Sequence, residues 1–291
     1  MHVAAIPMTK LPTPREFLTL IKIRITGLVT MTAVAGYGLA PAPAWDLGAL
    51  TLAAGVFLIT AGASAVNMYL ERGTDALMDR TRTRPLPAKS IEPSMVLGLG
   101  MALSVLGLAL LGSIGAWPAS LALASWVLYV LVYTPLKAKT SLNTVIGAIP
   151  GALPPLIGWS ATGAALSFEA FVLFLLMFVW QIPHFLALAW LYRADYAQGG
   201  LQMLTVEDTD GGMVGRQAVL YALCLVPISA APLVAEGASL FGTFFTIGLS
   251  LIFVGFAIRF ARRRDRQTAA SLFGVSLLYL PCVFAVMFLS R

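Results

Sequence analysis

Nine long apolar segments limit this chain to one kind of fold. They lie near residues 22–40, 48–69, 94–112, 116–134, 142–160, 168–190, 216–235, 239–259 and 270–289. Each is close to the roughly 20 residues that a helix needs to cross the hydrocarbon core of a bilayer. Hydrophobic residues make up 59% of the chain and charged residues 11%, against about 25% in soluble domains. We therefore predict an all-α, polytopic membrane protein with nine transmembrane helices.

Helices are favoured over a β-barrel because the apolar runs are continuous and do not alternate with polar residues. The whole chain, residues 1–291, is predicted to form a single intramembrane domain, with residues 1–14 as a mobile N-terminal tail. Pro150, Pro154 and Pro155 predict a kink in the fifth segment. Gly147, Gly151 and Gly158 give this segment a small-residue face, which indicates close helix packing first and room for a flat ligand second.

The basic residues predict how the chain is oriented in the membrane. With nine spans, 18 of the 19 Lys and Arg residues fall on one face, and only Arg291 lies beyond the last span on the other. Basic loops remain on the cytoplasmic side. We expect the chain in the cell inner (cytoplasmic) membrane, with the N-terminus inside and the C-terminus outside. The positive charge faces anionic lipid and an anionic substrate, and nucleic acid is not expected as a partner.

A row of oxygen-bearing side chains follows the second apolar segment. Asn67, Glu71, Asp75 and Asp79 recur every fourth residue, so a continued helix would place them along one slowly winding face at the membrane surface. Ionisable groups at such a position are costly and indicate a function. Carboxylates together with a bound phosphate are typical magnesium ligands. The sequence therefore predicts a site for a divalent metal ion and a phosphorylated substrate.

Basic residues accompany this row of acids. Arg80 and Arg84 follow it directly, and Lys137 and Arg193 fall on the same predicted face of the membrane, so these four side chains are candidates for holding the outer phosphate oxygens. The alternative is an ordinary solvated loop with local ion pairs such as Asp79–Arg82. Farther along, Glu207, Asp208 and Asp210 form either a solvated loop or a lid over the phosphate, with glycine pairs as hinges.

These motifs resemble those of a known family. The pattern Asn-x-x-x-Glu-x-x-x-Asp at 67–75, followed by Arg-Thr-Arg-Thr-Arg-Pro at 80–85, is similar to that of the UbiA superfamily of intramembrane prenyltransferases. The family's Tyr-x-x-x-Lys signature is matched by Tyr133 and Lys137, and its second acidic motif by Asp195. The resemblance implies nine helices around a central cavity and the use of Mg²⁺. Met68 stands where relatives often carry Asp, which implies fewer protein carboxylates around the metal.

The same resemblance assigns roles to individual residues. It implies that Asp75, Asp195 and Lys137 are catalytic. The metal ligands would be Asn67, Glu71, Asp75, Asp79 and Asp195. The diphosphate would be bound by Lys22, Arg24, Arg80, Arg84, Tyr133, Lys137 and Arg193.

Three further stretches resemble the branch of the family that prenylates heme. They are residues 80–87, 147–159 and 180–190, and the last contains the Trp180-Gln-Ile-Pro-His184-Phe motif. This likeness implies farnesyl diphosphate and heme b as substrates and places His184 and Trp180 at the porphyrin. It also leaves open an association with a heme A synthase. His184 would ligate the iron, contact a propionate or help to deliver water.

Three other functions fit parts of the pattern. One is a UbiA-type prenyltransferase of a quinone or chlorophyll pathway, which would share the diphosphate site. Another is a non-catalytic assembly subunit of a respiratory complex, which would show no dependence on diphosphate. The third is a secondary transporter, because broken helices and intramembrane polar residues suit transport. Transporters place their polar groups near the middle of the membrane, whereas the acids here lie at one end of the spans.

Overall fold

The computed structural model of the protein describes residues 11–235 and 240–290, and every regular element in these ranges is helical. A π-helical segment, Leu128–Tyr133, joins the helix that ends at Val127 to the one that begins at Thr134. The helices are α1 Pro14–Leu20, α2 Ile23–Gly38, α3 Leu47–Asp75, α4 Pro93–Ile114, α5 Ala116–Val127, α6 Thr134–Leu136, α7 Asn143–Ala152, α8 Pro154–Ala161, α9 Phe168–Leu191, α10 Arg193–Gln198, α11 Leu204–Glu207, α12 Gly212–Ala235, α13 Leu240–Arg263 and α14 Arg266–Leu289.

The predicted spans are confirmed within these described residues. Eight helical stretches are long and apolar enough to cross a membrane, and the bent pair α1–α2 supplies a ninth. Ala116–Leu136 and Asn143–Ala161 each count as one span although the helix changes character within them. The protein is therefore a multi-pass membrane protein. The predicted kink in the fifth segment is also confirmed, because α7 ends at Ala152 and α8 begins at Pro154.

The first described residues form a short helix before the first span. Residues 1–10 of the expected tail lie outside the described residues, but Pro14 already opens α1. Thr13 caps this helix by accepting a hydrogen bond from the backbone of Glu16, whose carboxylate accepts one from the Thr13 N–H in return. A bend of 52° then separates α1 from α2. Lys22 lies at the bend with φ 47°, a left-handed conformation that costs about 1–3 kcal/mol for a residue with a side chain.

Two glycines let α2 and α8 pack backbone against backbone. A Cβ built on Gly158 would lie 1.8 Å from the carbonyl oxygen of Ala33, and one built on Gly36 would lie 2.1 Å from that of Pro155. No larger residue fits either position without moving a helix. Close packing is therefore the first role of the small-residue face of the fifth span.

The spans surround one large cavity. Its volume is about 820 Å³, and side chains from α2, α3, α5, α7, α9 and α14 form its walls. The largest apolar core of the protein lies to one side of it, where α9 packs against α12 and α14. Most of the cavity wall is apolar, and its charged residues come from the ends of spans and from the segments that follow them.

The acidic segment before α12 caps that helix and does not reach the cavity wall. The carboxylate of Asp208 accepts a hydrogen bond of 2.7 Å from the Val214 N–H. Asp210 accepts one of 3.2 Å from Gly212 N–H, and Arg264 lies 3.5 Å from its carboxylate. These contacts match the solvated-loop interpretation, in which acids favour the N-terminal end of a helix.

Candidate active site

Three polar side chains of α3 approach one end of the cavity, which we call the polar mouth. α3 has no proline and continues for 29 residues, so it carries Asn67, Glu71 and Asp75 onto the same face one turn apart. Asn67 is fully buried and Asp75 is 1% exposed. The mouth is completed by basic residues. The charged residues lining it are Lys22, Glu71, Asp75, Arg80, Arg84 and Lys137.

Each of the three α3 side chains is paired with a base from another segment. Lys22 donates a hydrogen bond of 2.6 Å to the Asn67 side-chain oxygen. Lys137 Nζ lies 2.7 Å from a Glu71 carboxylate oxygen. The bend before α2 and the end of the fourth span thus both converge on α3.

The third pair involves Asp75 and the segment that follows α3. Arg84 Nη1 lies 2.8 Å from Asp75 Oδ2. The Thr81 hydroxyl donates 2.8 Å to the Asp75 carbonyl oxygen, which turns the chain back at the end of the helix. This turn returns Arg84 to the mouth.

The fourth member of the predicted row does not join the other three. α3 ends at Asp75, so Asp79 lies in the turns beyond it and not on a continued helical face. Its side chain is 72% exposed, pairs with Arg82 at 3.1 Å and is not part of the cavity wall. The prediction of an uninterrupted four-residue row was wrong at this position because the helix stops, and the local-pair alternative describes Asp79.

Aromatic rings hold two of the basic groups at the mouth. The Arg80 guanidinium lies 4.8 Å from the ring centre of Tyr192 and 5.9 Å from that of Tyr196. Lys137 Nζ lies 4.5 Å from the Tyr133 ring centre. Cation–π contacts of this kind fix a charged side chain without neutralising it. They also connect the segment after α3 to α10, so the two acidic motifs of the sequence are neighbours.

Besides Asp79 and the fully buried Asn67, three further predicted site residues lie outside the cavity wall. Asp195 is partly exposed on α10, and the wall at this point is formed by the next residue, Tyr196. Arg193 is exposed and stacks on Trp190 at 4.6 Å. Arg24 is exposed on α2, two residues after Lys22. The structure therefore brings together the first acidic motif and its bases but leaves these three at the rim.

Lys137 and Tyr196 each lie after a membrane span and have a shifted side-chain pKa. Burial acts to lower the pKa of Lys137, but Tyr133 and Glu71 beside it outweigh burial and raise that pKa above its ordinary value. Burial raises the pKa of Tyr196. Lys137 is therefore a cation and Tyr196 a neutral hydroxyl donor throughout the physiological pH range.

The donor set at the mouth suits a magnesium ion that also binds phosphate. Among residues 11–235 and 240–290, no three acidic or histidine side chains converge as a complete protein-only metal site. Magnesium needs only one or two protein carboxylates when substrate phosphates and water supply the remaining oxygens. Glu71 and Asp75 meet that requirement at the cavity wall.

His184 lies in the apolar part of the cavity, which we call the chamber. Its ring stacks between Trp180, at 5.0 Å, and Phe273, at 4.8 Å between ring centres. Its Nδ1 lies 2.7 Å from the Ser276 hydroxyl oxygen, and that hydroxyl donates its only hydrogen to the Phe273 carbonyl at 2.6 Å. Ser276 therefore engages Nδ1, and in the tautomer in which Nδ1–H donates to the hydroxyl oxygen, Nε2 carries the lone pair.

Some residues of the site could not be singled out from the sequence. Thr134 accepts a hydrogen bond of 2.9 Å from the Asn67 side-chain nitrogen and so orients that amide. Tyr129, Tyr196 and Gln181 line the cavity. Gln181 had a visible signal, since it is an amide between apolar neighbours inside a span, whereas the tyrosines gave none.

Comparison with known proteins defines the class. A sequence profile of the UbiA prenyltransferase family matches residues 28–289. The chain belongs to this family, as the motifs at 67–85 and 133–137 predicted. The fold agrees: a structure of digeranylgeranylglyceryl phosphate synthase has a TM-score of 0.79 at 16% identity, over 95% of this chain and 97% of its own.

The narrower likeness is confirmed at the level of relatives. Protoheme IX farnesyltransferase of Solibacter usitatus (strain Ellin6076) is 37% identical over 95% of this chain and 99% of its own length.

A second solved structure, a UbiA homolog from Archaeoglobus fulgidus bound to GPP and Mg²⁺, has a TM-score of 0.67 at 17% identity. It covers 94% of this chain and 99% of its own.

Proposed function

We propose that this protein transfers a farnesyl group from farnesyl diphosphate to a vinyl group of heme b, with addition of water, to give heme O and diphosphate. The likeness to protoheme IX farnesyltransferase along nearly its full length carries the proposal. The cavity supports it because one continuous space joins a cationic mouth to an apolar chamber that contains His184.

The polar mouth is suited to the departing diphosphate. Four basic residues and two carboxylates line it, so a net excess of two positive charges faces the substrate. Arg80, Arg84 and Lys137 would bind the phosphate oxygens, and Tyr133 and Lys22 lie beside them. Negative charge develops on the diphosphate as the farnesyl C1–O bond breaks, and prearranged cations stabilise that charge.

Mg²⁺ would be held by Asp75 and Glu71, with Asn67 beside them. When bound, the ion would neutralise charge on the diphosphate. Binding would require Arg84 and Lys137 to exchange their carboxylate partners for phosphate oxygens, and both side chains already point into the mouth. Asp195, next to Tyr196, would join only if α10 moved toward the mouth.

The chamber would bind the porphyrin. His184 Nε2 would ligate the heme iron, since Nδ1 is already engaged by Ser276. Among the three roles predicted for His184, this contact supports iron ligation. Trp180 donates its indole N–H to the Ser276 carbonyl at 2.9 Å, which fixes its ring beside the histidine. Apolar walls around the chamber would protect the allylic cation from stray water.

The assignment is tested by incubating the purified protein with heme b, farnesyl diphosphate and Mg²⁺, followed by mass analysis of the porphyrin. Heme O is expected. Parallel reactions contain 4-hydroxybenzoate in place of heme b. Prenylation of that acceptor alone would overturn the proposal in favour of a quinone-pathway enzyme, and no release of diphosphate with either acceptor would contradict an enzyme function. Co-purification from native membranes tests the predicted association with a heme A synthase.

A further inference from the structure

Gln181 places a polar atom in the chamber that none of the steps above uses. It lies on α9 and is 4% exposed, yet it lines the cavity. Its side-chain nitrogen donates to two backbone carbonyls, that of Met177 at 2.9 Å and that of Ala148 at 3.3 Å. Because both partners are acceptors, the nitrogen must face them, and this fixes the orientation of the amide.

The orientation leaves the side-chain oxygen of Gln181 without a hydrogen-bond donor. Over residues 11–235 and 240–290, no hydrogen bond to this oxygen is formed. The oxygen is therefore open to the cavity, where a water molecule is the usual partner of a carbonyl that lacks a protein donor. The oxygen thus marks a place in an apolar chamber where a single water would be held.

Gly151 creates the space around this oxygen. A Cβ built on Gly151 would lie 2.0 Å from the Gln181 oxygen, so any larger residue would displace the amide. The neighbouring turn of the same span is also polar, since Ser125 donates 3.0 Å to the Pro150 carbonyl. Gln181 lies three positions before His184, which places both on one side of α9.

We propose that the Gln181 side-chain oxygen holds and orients the water molecule that is added to the porphyrin side chain, so that Gln181 decides between hydration and elimination. The inference rests on the proposed function. The farnesyl C1–O bond breaks and its electron pair leaves with diphosphate. The vinyl π pair then bonds the terminal vinyl carbon to farnesyl C1, which leaves a cation on the vinyl carbon next to the ring.

Two reactions compete for that cation. The oxygen of the held water forms the C–O bond, and one proton leaves the added water toward the diphosphate. Gln181 accepts a hydrogen bond from this water and keeps no proton. Without an oriented water, the cation loses a proton from the adjacent carbon and gives an alkene that is lighter by one water molecule.

The experiment compares product ratios in purified Gln181→Met and Gly151→Ala variants with heme b, farnesyl diphosphate and Mg²⁺. Gln181→Met removes the hydrogen-bond acceptor at similar side-chain volume. Gly151→Ala keeps the Gln181 amide but displaces it from its position. Both are expected to lower the ratio of hydrated to eliminated porphyrin by about fivefold, the effect of losing one hydrogen bond. Ser125→Ala removes a cavity hydroxyl of α5 that donates to the Pro150 carbonyl, and it should leave the ratio unchanged.

The outcomes separate this inference from the proposed function. If the wild type forms no prenylated porphyrin, the proposed function fails. If the wild type forms the hydrated product and either variant gives the same ratio as the wild type, the role of Gln181 is refuted. A variant that merely folds poorly would lose both products in proportion, so an unchanged ratio counts against the inference at any level of activity.

Discussion

Asp75 and Asp79 differ sharply although only four positions separate them. Asp75 is 1% exposed and bonded to Arg84, whereas Asp79 points away from the cavity and pairs with Arg82. Asp75→Asn keeps the shape of the side chain but removes the charge. We expect a loss of turnover of about 10²–10³, typical of removing one group that acts on transition-state charge.

The matched control is Asp79→Asn, assayed beside it by diphosphate release. It should change the rate by less than about twofold, because an exposed ion pair contributes little. Both variants should insert into the membrane and elute as monodisperse proteins in detergent. Equal losses in the two variants would show that charge anywhere in the segment matters, and not the position of Asp75 at the mouth.

The His184–Ser276 pair makes a second prediction for single residues. His184→Ala should abolish the iron ligation that an absorption titration with heme b reports. Ser276→Ala leaves the imidazole in place but removes the group that fixes its tautomer, and such outer partners typically contribute 10–100-fold in metal affinity. We expect weaker heme binding of about that size. An unchanged heme spectrum in His184→Ala would exclude the histidine as the ligand.

At the scale of helices, the contact between α2 and α8 depends on the absence of a side chain at Gly158. Gly158→Ala would place a Cβ 1.8 Å from the Ala33 carbonyl oxygen and so force α2 and α8 apart. We expect the free energy of unfolding to fall by about 1–3 kcal/mol. Gly248→Ala on α13 meets nothing within 4 Å and should be neutral or stabilising by up to about 1 kcal/mol. Thermal unfolding in detergent compares the two, and equal shifts would contradict the packing argument.

Much of the helical architecture could be predicted from the sequence because hydropathy determines which segments enter a bilayer. The proline-induced break between α7 and α8 was equally visible. The end of α3 was not, since it depends on Thr81 bonding the Asp75 carbonyl, a contact between side chain and backbone that no spacing rule contains. The direction that Asp195 faces depends on how the six-residue helix α10 is rotated about its own axis, and the sequence does not determine that rotation.

The candidate site was predictable where it repeats along one helix and not where separate segments meet. Asn67, Glu71 and Asp75 share α3, so their common face followed from helical geometry. The partners of these residues come from a bend, a turn and the residue that follows α6. Such long-range pairings depend on the packed bundle, and for this reason Thr134 and Tyr196 were missed.

At the scale of the whole molecule, the charge distribution predicts the orientation in the membrane. In a variant with Cys224 and Cys282 replaced by serine, Pro41→Cys and Lys139→Cys place single exposed thiols at opposite ends of the spans. A membrane-impermeant maleimide added to intact spheroplasts should label position 41 at once, and position 139 only after permeabilisation. The reverse pattern would place the polar mouth outside the cell.

The ion pairs at the polar mouth have a consequence for biogenesis. Glu71 and Asp75 are each neutralised by a base of the same chain, so the two carboxylates do not need a metal ion to offset their mutual repulsion. Insertion and folding should then proceed in cells starved of magnesium. Protein prepared in this way would be dormant but intact, and addition of the ion to isolated membranes should switch on its chemistry without new synthesis.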